Sequence, residues 1–172
     1  NGLDIQPEAL YNFLLSPRML KTIAIGNIGG CIGETSAVLL FAGAIFLLYK
    51  RIITWHIPCS FITAIAVCTG AYYAVKGSPG ASAIPFFELR MVAFHVFSGG
   101  VFLGAFFMAT DMVTSPVTRR GMILFGAGCG IITSVIRLWG EYPEGVSYSI
   151  LLMNATVPLI DRYFRPRVFG TR

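Results

Sequence analysis

The residues of this chain with most chemical potential are a few acids set at the ends of apolar runs: Glu34, Asp111, Glu144 and Asp161. A carboxylate taken into hydrocarbon is expensive, so an acid in that position is either functional or held by a cap, a partner or water. Glu34 follows the glycine-rich lead 26–33 and opens an apolar run. It reads either as a functional acid or as a wet first-turn residue favoured by the helix dipole. Asp111 sits in the segment 109–118 with the hydroxyls of Thr110, Thr114, Ser115 and Thr118 around it. One charge among hydroxyls can bind a cation or meet a polar ring edge. The same residues also have the composition of a capped loop. Glu144, within Tyr142-Pro143-Glu144-Gly145, reads alone as a turn residue, and Asp161 with Arg162 as an interfacial ion pair.

The remaining polar side chains are sparser. His95 is isolated in an apolar run, and His56 falls at the far end of another, so no second ligand matches its depth. A hydrogen-bonded helix histidine is the expectation. Arg137, at a helix end, is expected to snorkel to water. Asn154, in mid-helix, should bond a neighbouring helix. Cys31, Cys59, Cys68 and Cys129 form no Cys-x-x-Cys pair and have no histidine at zinc-like spacing, so no metal site is assigned. Neither a disulfide framework nor an iron–sulfur site built by this chain alone fits them. No nucleophilic triad, phosphate loop or dinucleotide fingerprint is present, and no residue is assigned a catalytic role.

The elements that must position these groups are membrane helices. The chain has 172 residues, 55% hydrophobic and 12% charged, with a mean hydropathy of +0.72. Soluble domains carry about 25% charged residues. Apolar runs cover 34–49, 57–75, 89–108, 121–138 and 146–160. Against the roughly 20 residues a span needs, the middle three fit and the outer two are short. Short or Gly/Pro-interrupted segments are where transport-type folds put broken helices and sites. The expected fold class is an all-α, polytopic helix bundle with about five spans, forming one transmembrane domain over residues 1–172.

The net charge of +5 reflects loop and tail residues, so it marks membrane topology and a lipid bilayer partner, with no nucleic acid implied. The Asn1 side holds Arg18, Lys21, Lys76, Arg90 and Arg137. The other side holds Lys50, Arg51, Arg119, Arg120, Arg162, Arg165, Arg167 and Arg172. The bias places residues 1–25 outside as a lead-in segment and 161–172 inside as a basic cytoplasmic tail. Gly100-x-x-x-Gly104 and Gly126-x-x-x-Gly130 should allow close helix contacts.

Three segments carry a resemblance. They are Gly29-Gly30-Cys31-Ile32-Gly33-Glu34-Thr35-Ser36-Ala37, then Phe106-Phe107-Met108-Ala109-Thr110-Asp111-Met112-Val113-Thr114, then the stretch from Arg137 through Tyr142-Pro143-Glu144-Gly145 to Met153-Asn154. In this order they resemble the RnfD/NqrB family. The ending from Val157-Pro158-Leu159-Ile160-Asp161-Arg162 to Gly170 is similar to its Rnf branch.

The resemblance implies the second half of an inverted-repeat fold like that of urea transporters. It implies a component of an inner-membrane complex, with other Rnf subunits as partners, that couples electron flow between ferredoxin and NAD to Na⁺ or H⁺ movement. It further implies an FMN joined through its phosphate to a threonine of a Ser/Thr-x-Ala-Thr motif on the outer side, and a riboflavin within the membrane. The nearest string here, Met153-Asn154-Ala155-Thr156, lacks the first hydroxyl, so the threonine is expected upstream of Asn1. By the same resemblance Asn27, Gly29, Gly30, Glu34, Thr35, Glu144, Asp111 and Thr114 surround flavin, while Asp111 and Asp161 mark a cation path. The competing expectations are an NqrB-like component of a Na⁺-pumping NADH:quinone oxidoreductase and a flavin-free channel of urea-transporter-like fold.

Overall fold

A computed structural model describes residues 36–76, 87–97, 100–140 and 145–164. Every regular element among them is helical. They are α1 (Ala37–Tyr49), α2 (His56–Lys76), α3 (Phe87–Phe97), α4 (Val101–Met108), α5 (Arg119–Trp139) and α6 (Val146–Tyr163). Two of them, α2 and α5, have 21 residues each and are apolar enough to cross a membrane, and α3 with α4 makes a third crossing if the bent pair is one span. The chain is thus an integral membrane helical protein. Many large apolar side chains point away from the bundle, including Leu39, Val67, Leu89 and Leu151. Lipid makes that arrangement favourable, whereas water would not.

The centre of the bundle is the seam between α2 and α5. Ile57, Phe61, Ile65 and Thr69 recur every fourth residue and form the buried stripe of α2. They meet Phe125, Gly126, Cys129, Gly130 and Thr133 of α5. A Cβ at Gly126 would lie 2.6 Å from the Ile57 carbonyl oxygen, and one at Gly130 would lie 2.6 Å from the Phe61 oxygen. The second glycine pair therefore does what its spacing predicts: it lets two backbones touch. The polar residues in the seam satisfy themselves locally. Thr69 donates to the Ile65 carbonyl at 2.7 Å and Ser134 to that of Gly130 at 2.8 Å. Such back-bonding removes the cost of an orphan hydroxyl in hydrocarbon.

The first glycine pair works differently. Gly100 is not on a helix face but precedes α4 with φ of 68°, a left-handed conformation that a right-handed helix cannot continue. The run 89–108, expected as one span, is accordingly split, and its halves Leu89–Phe97 and Val101–Met108 lie 65° apart. Gly104 packs on Val146 of α6. From Gly104 to Met108 the winding is π-helical, closed by Ala109 N–H donating to the Gly104 carbonyl at 2.7 Å. The last run, by contrast, is one unbroken helix through Asn154 and Pro158.

Ends are set by local signals. Ser36 caps α1 by accepting from Leu39 N–H at 3.4 Å. That helix closes with Arg51 N–H donating to Leu48 O and Ile52 N–H to Leu47 O, both at 3.0 Å. This is a Schellman closure, with Arg51 in the left-handed position at φ 55° where glycine is usual. Thr118 caps α5 through Gly121 N–H at 3.1 Å.

Candidate functional site

Contacts along the seam run in register. Thr54 bonds Met122 at one end, Ile57 meets Gly126, Phe61 meets Gly130, and Tyr72 meets Trp139 at the other end. α2 and α5 are therefore parallel, and both N-termini emerge at the same end. Asp161 brings the end of α6 there too, since its Oδ1 accepts the Val117 N–H at 3.2 Å. Lys50, Arg51, Arg119, Arg120 and Arg162 thus gather at one end of the bundle, as the charge pattern predicts.

At this basic end the segment 109–118 connects the π-wound α4 to α5. A π-bulge widens one turn and is often found at functional sites. Asp111 is exposed, and its Oδ2 accepts the Thr114 hydroxyl at 3.3 Å. Its carbonyl closes a turn with Ser115 N–H at 3.1 Å, and Pro116 is fully buried beneath. Thr110 turns its hydroxyl back to the Phe106 carbonyl at 2.7 Å. Of the hydroxyls around Asp111, therefore, Thr114 donates to its carboxylate, while Thr110 and Thr118 serve backbone.

Asp161 differs from the expected ion pair with Arg162. Its contact is the Val117 amide, 44 residues away in sequence, so it anchors the 109–118 segment to α6. The bond is exposed and longer than the about 2.7–2.9 Å of strong charge-assisted pairs, so it positions the loop at a modest gain in stability. Asp111 thus lies within the loop, and Asp161 of α6 holds the loop near its far end. Among the described residues no three His, Cys, Asp or Glu side chains converge as a metal cage. Any cation here would meet one carboxylate, hydroxyls and carbonyls, which suits transient passage better than tight holding.

A second polar group lies at the other end. His95 Nε2 is 3.3 Å from the Tyr73 hydroxyl, with the rings tilted at 5.9 Å, so the expected hydrogen-bonded histidine is found. Arg137, near the end of α5, is half-buried. Its Nη1 crosses to the His95 carbonyl at 2.7 Å, at the C-terminal end of α3 just before the break. Carbonyls near a helix end attract a cation, which favours this contact. Thr133 and Ser149 share a buried hydrogen bond of 2.7 Å between α5 and α6. Asn154 does not make the interhelical bond expected of its carbonyl, since Oδ1 is buried without a partner among the described residues. Cys59, Cys68 and Cys129 are free thiols. Asn27, Gly29, Gly30, Glu34, Thr35 and Glu144 lie outside the described residues.

The model of the NQR2, RnfD, RnfE family matches residues 6–170. The chain belongs to this family. Two curated members are each 47% identical to it. One, from Clostridium ljungdahlii, is named as the D subunit of a proton-translocating ferredoxin:NAD(+) oxidoreductase complex, and 90% of this chain aligns with 44% of that protein. The other, from Acetobacterium woodii, is named as the Na(+)-translocating counterpart, with 85% of this chain aligned to 41% of it. A third, from Stutzerimonas stutzeri, is named as the D subunit of an ion-translocating oxidoreductase complex, at 42% identity over 92% of this chain and 41% of its own length. The chain spans less than half the length of these relatives. Equal identity to a proton-named and a sodium-named member means that overall likeness does not discriminate the ion.

Proposed function

We propose that this chain is the second half of the membrane-embedded D subunit of an Rnf-type complex that couples electron transfer between ferredoxin and NAD to Na⁺ or H⁺ movement, not catalytic by itself. The observation that carries this reading is 47% identity across 90% of the chain to a family member named for that reaction. The names of the relatives favour it over an NqrB-like component and over a flavin-free channel. On this reading the other Rnf subunits are its partners and the fold is one half of a urea-transporter-like inverted repeat with about five spans. The membrane is the inner membrane, and the basic end, with the 161–172 tail, faces the cytoplasm.

The flavins of the reading are an FMN on a threonine upstream of Asn1 and a riboflavin in the membrane; when bound they accept and release the electrons. The described residues fit a supporting role at the basic end. Thr114 holds the Asp111 carboxylate toward the loop surface, and the exposed acid offers charge to an arriving cation. Asp161 keeps the loop in place through Val117. The lead with Asn27, Gly29, Gly30, Glu34 and Thr35 is assigned to the outer flavin, with Glu144 on the same side. There glycines allow close backbone approach and a helix start offers free N–H groups.

Two experiments test this. Flavin fluorescence of the denatured full-length protein on a gel should remain on its band, and a dark band refutes the covalent FMN. Thiol labelling of Arg172→Cys should proceed only from the cytoplasmic face and that of Glu144→Cys only from outside; the reverse pattern inverts the topology.

A further inference from the structure

The parallel N-termini of α2 and α5 open on a cavity of about 630 Å³ at the basic end. Arg51, His56 and Arg119 line it together with the apolar Ile53, Trp55 and Met122, and among the described residues no Asp or Glu lines it. We propose that this cavity binds the phosphate of an anionic phospholipid. The proposal does not rest on the electron-transfer reading; it would hold for any membrane protein with these residues in this place.

Three features converge on an anion, and the backbone of Arg51 adds to the second. Each helix N-terminus carries a partial positive charge and several N–H groups without an intrahelical acceptor. Here two helices of 21 residues each aim that end at the same space. Two guanidinium side chains come from different elements, Arg51 from the closure of α1 and Arg119 from the first turn of α5. The planar, forked guanidinium matches phosphate oxygens well. Arg51 is placed by a backbone at φ 55°, a conformation that glycine adopts without strain and that other residues adopt seldom. An arginine in a glycine position fits a need for its head group there. Finally, His56 stacks on Trp55 at 4.4 Å, and its Nδ1 is buried without a partner among the described residues.

The walls point to a lipid rather than a soluble ester. Ile53, Trp55 and Met122 give an apolar flank beside the cationic groups, which suits a head group still attached to its acyl chains. Trp55 is 61% exposed at the end of a membrane-length helix, the position where amphipathic aromatics mark the head-group layer. Thr54 donates to the Met122 sulfur at 3.4 Å and ties the start of α2 to α5, so the cavity has a fixed frame.

The test uses the complete complex containing the full-length protein, in detergent, followed by native mass spectrometry. Phosphatidylglycerol, phosphatidylcholine of the same chains and soluble glycerol phosphate are titrated in parallel into wild type, Arg51→Gly, Arg119→Gln and the double variant. Wild type should retain phosphatidylglycerol in preference to phosphatidylcholine. Each guanidinium removed should lower that retention about five- to tenfold, in line with roughly 1 kcal/mol per juxtamembrane basic residue. The thermal midpoint of Arg51→Gly in phosphatidylcholine should not fall, because glycine relaxes the left-handed closure; loss of lipid is then separable from loss of fold. Should Arg51→Gly fail to assemble, Arg119→Gln decides by the same criterion. Equal phosphatidylglycerol retention in wild type and the variants overturns the site. Preferential retention of glycerol phosphate overturns the lipid as its occupant.

Discussion

Replacing Gly126 by alanine tests whether the α2–α5 seam is the structural centre of the bundle. The added Cβ would overlap the Ser60 hydroxyl and lie 2.6 Å from the Ile57 carbonyl oxygen. Ser60 can rotate away, although it now donates to Ile57 O at 3.0 Å, but the carbonyl belongs to helix backbone and cannot. Ordinary contact begins at 3.4 Å, so 3.4 − 2.6 = 0.8 Å must open between the helices. A gap of ~0.5–1 Å already forfeits a quarter to a half of each contact's dispersion energy. The affected side chains, Phe61, Ile65, Phe125 and Cys129, are all 0% exposed. Gly70→Ala on α2 is the control, since its Cβ would meet only Val92 Cγ2 at 3.6 Å. Both changes gain the same helix propensity, which cancels, so Gly126→Ala should be less stable than Gly70→Ala by about 1–3 kcal/mol. Gly126→Ala with Gly130→Ala should cost less than the sum, because one opening relieves both clashes. Equilibrium unfolding of the full-length protein in mixed micelles of graded dodecyl sulfate measures this. Equal stability of Gly126→Ala and Gly70→Ala would refute the close seam, and strict additivity would refute a single rigid displacement.

Asp111→Asn should leave the complex assembled and lower ion-coupled turnover several-fold; near-normal coupled electron transfer would leave Asp111 as a loop residue only. Asp161→Ala removes the acceptor from Val117 N–H and should cost about 0.5–1.5 kcal/mol, since the bond is exposed and 3.2 Å long, whereas Asp161→Asn keeps an oxygen there and should cost less; hydrogen exchange at Val117 reads the difference, and equal exchange in both variants counts against the anchor. Arg137→Gln takes a charged donor from the His95 carbonyl and should destabilise the protein by ~1.5–3 kcal/mol; unchanged unfolding in Arg137→Gln would mean that the bond contributes nothing net.

Composition alone determined that this chain lives in a membrane, because 55% hydrophobic residues cannot be covered by 12% charged ones in water. The length and apolarity of α2 and α5 followed from their runs, and Gly126-x-x-x-Gly130 already implied a close helix pair, since only small residues let backbones meet. The basic clustering of Lys50, Arg51, Arg119, Arg120 and Arg162 was equally legible as a charge count. What needed tertiary structure was partnership. The charge count already set the starts of α2 and α5 on one side of the membrane, but that the two helices are neighbours whose N-termini meet at one cavity had no sequence signal. The break at Gly100 was hidden inside an apolar run, because glycine serves both as a packing surface and as a left-handed hinge, and only its φ of 68° tells which. Asp161 looked paired with its neighbour Arg162, yet it holds Val117, since a backbone amide brought in by folding carries no side-chain signature. Arg137 carried no sign in the sequence of its bond to the His95 carbonyl, 42 residues away, because that partner is a backbone group brought in by folding. Local periodicity and charge set the elements and their medium; the contacts between distant elements decided which polar groups face one another.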